Sequence, residues 1–178
     1  MGARQPDKEP LFVPLRIAVL TISDTRDEAT DTSGQTLAER LVAAGHQLAE
    51  RIIVPDDIYR IRAIMSRWIA DETVTAVLTT GGTGLTGRDR TPEAIRPLLD
   101  KEIEGFGELF RAISHQEIKT STLQSRAFAG IANATFLFCL PGSTGACRTA
   151  WDHLIKDQLD YRNRPCNLVE MLPRMLES

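Results

Sequence analysis

AVLTTGGTGLTGRDRTPE, residues 76–93, is the stretch on which the fold turns. Residues 76–79 form a short aliphatic run of the kind that fills a buried strand. The run leads directly into a loop that carries Gly81, Gly82, Gly84 and Gly87. Thr91 followed by Pro92 then marks a helix start, because a proline in the first helical turn forfeits no backbone hydrogen bond. A strand, a glycine loop and a helix in direct succession make up the repeating unit of an α/β sheet.

The flanking sequence repeats that alternation. Residues 16–22 (RIAVLTI) predict a buried strand, followed by a polar loop over 23–33. A helix is expected over 34–44, with Leu37, Leu41 and Val42 on one face and Gly45 as its stop. Residues 46–54 predict a second strand, broken by Pro55-Asp56-Asp57, where either aspartate can accept from the first free amides of a helix over 58–70. Beyond the glycine loop, 95–126 reads as polar and helical, and 134–140 (ATFLFCL) as the last strong strand. Pro141-Gly142-Ser143 turns that strand into a helix over 144–159, and the tail 161–178 is expected along the surface or a subunit boundary.

Strands separated by helices of this length require crossover connections. The expected fold is therefore α/β: a doubly wound, mostly parallel sheet with helices on both faces. It forms a single domain over 15–178, after a flexible N-terminal arm over 1–14. In such sheets ligands collect at the loops that leave the C-terminal ends of the strands. Four loops fit, 23–33, 55–57, 80–91 and 141–144, and all hold small or acidic residues.

Bulk properties bound the function. The 178 residues suit one domain, and 42% hydrophobic with 25% charged residues is an ordinary globular composition. A formal charge of −3 gives no global attraction to nucleic acid, so an anionic ligand needs a local site. No long apolar run suggests a membrane span or signal peptide, and a cytoplasmic location is expected. Cys139, Cys147 and Cys166 show no CxxC spacing and read as reduced, structural thiols. His46, His115 and His153 lie far apart without a metal spacing.

The glycine loop carries the chemistry. Glycines let backbone amides approach an anion closely, Thr80 and Thr83 add hydroxyls, and Arg88 and Arg90 supply charge. Gly82-x-Gly84-x-x-Gly87 matches the dinucleotide fingerprint only formally, since it follows the third strand and Arg88-Asp89 interrupts the helix start. No lysine follows the glycines, which excludes a P-loop.

TTGGTGLTGRDRTPEA (79–94), EGFGELFRAIS (104–114) and LPGSTGACRTAW (140–151) together resemble the signature set of the MogA/MoaB family of molybdenum-cofactor biosynthesis. RIAVLTISDTRDEATDTSG (16–34) and IVPDD (53–57) are similar to that family too, so the likeness covers about residues 15–165. TSTLQSRAFAG, PGSTGACRTAWD and NRPCN are closer to the MoaB branch. The resemblance implies a molybdopterin adenylyltransferase, which transfers AMP from ATP to the terminal phosphate of molybdopterin with Mg2+. It also implies a homotrimer or homohexamer, with contacts to other pathway proteins. The alternative is a non-catalytic protein of the same pathway that binds molybdopterin or a precursor.

By the same resemblance, Asp56 and Asp89 match the two acidic positions tied to catalysis. Where several phosphates meet, a carboxylate is useful chiefly for holding a cation, so both are assigned to Mg2+ and substrate positioning. Read without the resemblance, Asp56 is equally a helix cap, and Asp89 a salt-bridge partner of Arg88 or Arg90. Gly81, Gly82, Thr83 and Gly84 match the phosphate-binding loop. Pro141, Gly142, Ser143 and Thr144 match a second phosphate loop, although an ordinary strand-to-helix turn with a serine cap looks the same. Ser114 matches a position facing the pterin, Ser125 and Arg126 are candidates for the pterin phosphate, and Ser23 and Asp24 are candidate nucleotide contacts.

Overall fold

A computed structural model describes residues 10–177. Six strands form one sheet in the order β2-β1-β3-β6-β5-β4. They are β1 (Arg16–Ile22), β2 (Gln47–Val54), β3 (Ala76–Thr80), β4 (Lys101–Glu102), β5 (Phe128–Ala132) and β6 (Thr135–Leu140). β1 pairs in parallel with β2 and β3, and β3 with β6, whereas β5 runs antiparallel to β6 and β4.

Alternation along β1 shows why both faces are covered. Ile17 and Val19 point into one core with Leu37, Leu41, Phe110 and Trp151, while Ala18, Leu20 and Ile22 point into the other with Ile61, Met65, Trp68 and Ile95. Side chains of successive strand residues face opposite ways, so a near-continuous aliphatic strand needs helices on both sides. The helices α1 (Thr32–Ala43), α4 (Glu104–Ile118) and α5 (Thr144–Ala150) contribute to the first core, and α2 (Ile58–Ala70) and α3 (Thr91–Ile95) to the second.

The caps explain where the helices start. Asp31 accepts the Gly34 amide at 2.9 Å, so α1 begins at Thr32 rather than at Gly34. Leu37, Ala38 and Leu41 are its buried face, and Val42, expected there, is 55% exposed. Asp57 caps α2 by accepting the amides of Tyr59 and Arg60, and Ile61, Met65 and Trp68 bury one stripe at helical spacing. Asp56 is thereby free of the capping role.

Three departures from the sequence reading have physical causes. Within the supposedly helical 95–126, α3 gives way after Ile95 to a single 3-10 turn, and β4 follows before α4. β5 was missed altogether, and with β4 it forms an antiparallel flank to the parallel sheet. The helix expected over 144–159 runs as α5, then a π turn at Trp151–Ile155, then α6 (Lys156–Gln158). Cys147, Trp151, Ile155 and Leu159, spaced by four, are all buried. Each four-residue step overshoots an α-helical turn by about 40°, and the wider π turn absorbs that drift and keeps the stripe on the core.

Most of the expected N-terminal arm, residues 1–9, lies outside the described residues. Its remainder is docked at Phe12, whose ring is 5.1 Å from that of His46, with the Arg162 guanidinium 5.0 Å away. The tail returns over the first core, where Val169 is buried and Leu168, Leu172 and Met175 are partly so.

Candidate functional site

A cleft of about 610 Å³ opens at the C-terminal ends of β1, β3 and β6. β1 connects outward to β2 while β3 lies on its other side, so the connections diverge at this point. Such a switch point is where open α/β sheets take ligands. All four loops expected to converge contribute to the lining, through Ser23 and Asp24, Asp56, Gly81 to Gly84 with Asp89, and Pro141 to Ser143. α4 and the 3-10 segment after it, Lys119–Gln124, close the other side with Phe110, Ser114, Glu117 and Thr122.

The glycine loop is fixed at both ends. The Gly81 amide donates to Leu140 O at 3.0 Å, and Thr91 returns to the loop through Oγ1 to Gly81 O and its amide to Gly82 O. Gly81 has φ +105°, and a Cβ there would lie 2.1 Å from Ile22 O. Gly82 has φ +66°, and a Cβ there would lie 2.3 Å from Thr91 Oγ1 and 2.8 Å from Asp56 Oδ2. Only glycine meets both the dihedral and the space requirement at these two positions.

The carboxylates differ in their environments. Asp56 is buried, with Oδ1 accepting the Arg90 amide at 3.2 Å and Oδ2 making no hydrogen bond among the described residues. Burial pushes its carboxyl above the usual range despite that amide, and the charges of Asp89 and Asp24 push it further. Asp89 is held below its usual value: burial opposes this, but the Thr86 hydroxyl and amide and the Gly84 amide prevail. Its Oδ2 accepts from Thr86 N at 2.8 Å and Thr86 Oγ1 at 2.6 Å, so it braces its own loop and pairs with neither Arg88 nor Arg90. Arg88 pairs instead with Asp24, whose carboxyl it lowers. Asp24 also accepts the Asp56 amide at 3.0 Å and so ties the first loop to the second.

Other expected residues sit as follows. Ser114 is buried against the cleft. Ser143 lines it while capping α5 through the Ala146 amide. Thr144 points elsewhere, its hydroxyl 2.9 Å from that of Thr32. Ser125 lines the cleft, but Arg126 does not. The Arg126 guanidinium donates to Gly84 O and Asp89 O, both at 2.8 Å, and pairs with Glu93, while its amide donates to Thr83 O. Its donors thus hold the glycine loop from behind. Cys147, at the start of α5, is buried and donates to Thr80 Oγ1, and burial pushes its thiol up to about 11.

The sequence reading passed over Arg26, Glu117 and Thr149, which also line the cleft. Arg26 donates to Ser33 Oγ at 2.8 Å and is the arginine of the first loop. Its position two residues after Asp24 was the available signal. Among the described residues, no group of three or more His, Cys, Asp or Glu side chains is placed to hold a metal ion. Mg2+ needs no such cage, because it binds through one or two carboxylates and completes its shell with water and phosphate oxygens. Asp56, with one oxygen unengaged, and Asp89 fit that donor set. No helix among the described residues is long and apolar enough to cross a membrane.

Comparison with known proteins shows the family and the fold. Residues 18–161 match the family described as a probable molybdopterin binding domain. Molybdenum cofactor biosynthesis protein B of Escherichia coli (strain K12) is 57% identical over 156 residues, which cover 88% of this chain and 92% of that protein. The crystal structure of a molybdenum cofactor biosynthesis protein B superposes with TM-score 0.80 at 49% identity, covering 83% of this chain and 92% of that one. The tungsten cofactor synthesizing protein MoaB from Pyrococcus furiosus gives TM-score 0.73 at 36% identity, over 81% and 92% of the two chains.

Proposed function

Since the chain belongs to the molybdopterin-binding family of molybdenum cofactor biosynthesis, we propose that it binds molybdopterin and ATP in this cleft and joins them by adenylyl transfer. In that reaction an oxygen of the molybdopterin terminal phosphate attacks the α-phosphorus of ATP. The bond from that phosphorus to the bridging oxygen of the β-phosphate breaks, and pyrophosphate leaves. The nucleophile is already an anion, so no general base is required, and alignment with charge neutralisation carries the rate.

The observation that carries this reading is the meeting of the Gly81 to Gly84 loop with Asp56 and Asp89 in one cleft. The positive-φ glycines bring backbone amides close to phosphate oxygens, and Thr83 adds a hydroxyl. Asp56 and Asp89 would hold Mg2+, which when bound neutralises charge on the reacting phosphates. The raised pKa of Asp56 fits a carboxylate whose cation arrives with the substrate. Gly142 and Ser143 offer the second phosphate contact, and Ser114 and Ser125 face the pterin. We also assign the protein to the cytoplasm as a homotrimer or homohexamer, an assembly that would cover Leu109, Ile118 and Leu123, each more than half exposed.

The test is pyrophosphate release from ATP and Mg2+ by the purified protein, with and without molybdopterin. Release only in the presence of molybdopterin is expected. Tight molybdopterin binding without release would make this a binding protein of the pathway instead.

A further inference from the structure

The cleft has two chemically distinct ends. The ionisable side chains that line it are Asp24, Arg26, Asp56, Asp89 and Glu117. The first four ride on the loops at the strand ends, where Asp24 bonds to the Asp56 amide and Asp56 feels the charge of Asp89. Glu117 stands apart, on the last turn of α4, on the face that also carries Phe110 and Ser114 into the cleft. Positions 110, 114 and 117 fall on one helical stripe.

Glu117 is also under-partnered. Its carboxylate accepts from Thr149 Oγ1, 3.3 Å from Oε2 and 3.5 Å from Oε1. Thr149 is buried on α5, so a rigid element from the opposite wall orients the carboxylate. Among the described residues no cationic side chain pairs with Glu117. A carboxylate has about four acceptor sites, and one hydroxyl leaves most of them open. What complements it best is a planar ligand with two parallel N–H donors on one edge.

The pyrimidine ring of a pterin has such an edge, formed by N3–H and the 2-amino group. We propose that Glu117 is the residue that selects the pterin, by accepting from N3–H and from the 2-amino group, with Thr149 as its positioning residue. This rests on the molybdopterin reading above and adds to it the group that distinguishes a 2-amino ring from its 2-oxo counterpart. In a 2-oxo ring a carbonyl oxygen replaces the amino group, so one carboxylate oxygen faces an acceptor and both are left unpaired.

The experiment compares 6-hydroxymethylpterin monophosphate with 6-hydroxymethyl-lumazine monophosphate, its 2-oxo analogue, by ligand fluorescence titration. ATP affinity is measured on the same preparations. Wild type should prefer the pterin by at least about tenfold. Glu117→Gln should erase or reverse that preference, because an amide can accept from N3–H and donate to the 2-oxo group. ATP affinity should stay within about twofold. Thr149→Val should narrow the preference less than Glu117→Gln does. If wild type binds the pterin but Glu117→Gln keeps the full preference, this inference falls and the molybdopterin reading stands. If wild type binds ATP but neither pteridine, both fall together.

Discussion

Asp31→Ala should destabilise the protein by about 3–5 kcal/mol, the usual loss on breaking a buried ion pair from one side. Asp31 is 1% exposed and serves three elements at once. Its Oδ1 caps α1 through the Gly34 amide, and its Oδ2 accepts from Thr21 of β1 at 2.8 Å and from Arg51 of β2 at 2.8 Å. The cap alone is worth about 1 kcal/mol. The rest comes from stranding Arg51, whose side chain is only 20% exposed, and it is softened because Arg51 keeps Gln35 and the carbonyl of residue 31. Asp31→Asn preserves the acceptors and should cost about half as much. The sign of the pH dependence follows from the carboxyl. Burial raises its pKa, but Arg51, the Gly34 amide and Thr21 outweigh burial and hold it below the unfolded value. The contribution is therefore complete above about pH 4 and is lost as pH falls through the folded pKa, so the gap between wild type and variant should shrink in acid. Urea unfolding followed by circular dichroism at a series of pH values measures both effects. A loss below about 1 kcal/mol at pH 7, or a gap that widens in acid, would refute the argument.

Three further outcomes are expected. Gly82→Ala places a methyl 2.3 Å from Thr91 Oγ1 at a positive φ, and calorimetry should find ATP affinity at least about tenfold weaker. Asp89→Asn should leave molybdopterin affinity intact and slow single-turnover adenylyl transfer at least about a hundredfold, or about 2.7 kcal/mol; near-normal turnover with a lowered Tm would confine Asp89 to bracing its loop. Arg126→Ala should lower kcat by loosening the Gly84–Asp89 segment, with partial rescue by added guanidinium and none in Arg126→Lys; loss of molybdopterin affinity alone would instead put Arg126 in contact with the ligand.

The parallel half of the sheet was legible because its strands are aliphatic runs that end in polar or glycine loops, as in RIAVLTI and AVLTT. The antiparallel flank was not. β4 is a Lys-Glu pair with both side chains exposed, and β5 (FAGIA) has small residues where a strand usually carries branched ones. Gly130 is needed there because a Cβ would lie 2.6 Å from Leu99, a contact that no local pattern reveals. The meeting of Gly81 to Gly84 with Asp56 and Asp89 in one cleft was legible because each lies in a loop at a strand end that the local sequence marks. The bracing by Arg126 was not legible for the opposite reason: its partners Gly84, Asp89 and Glu93 lie over thirty residues upstream, and a free guanidinium looks the same in sequence as one already engaged. Glu117 was passed over because an acidic residue near a helix end is ordinary until Thr149 and the cleft are beside it.

The strand order also has a consequence for synthesis on the ribosome. β1 emerges first and both its neighbours, β2 and β3, are complete by Thr80, so half the sheet can assemble before β6 has emerged. The outer edge of β3 then stays open, because Ala76 pairs with Phe136 and Thr80 with Leu140. At typical elongation rates that interval lasts on the order of several seconds, during which a nascent chain displays an unpaired aliphatic edge. Pro141 to Thr149, one wall of the cleft, come later still. A chain stalled between β3 and β6 would therefore be both sticky and unable to hold ligand, and substrate cannot rescue it by binding.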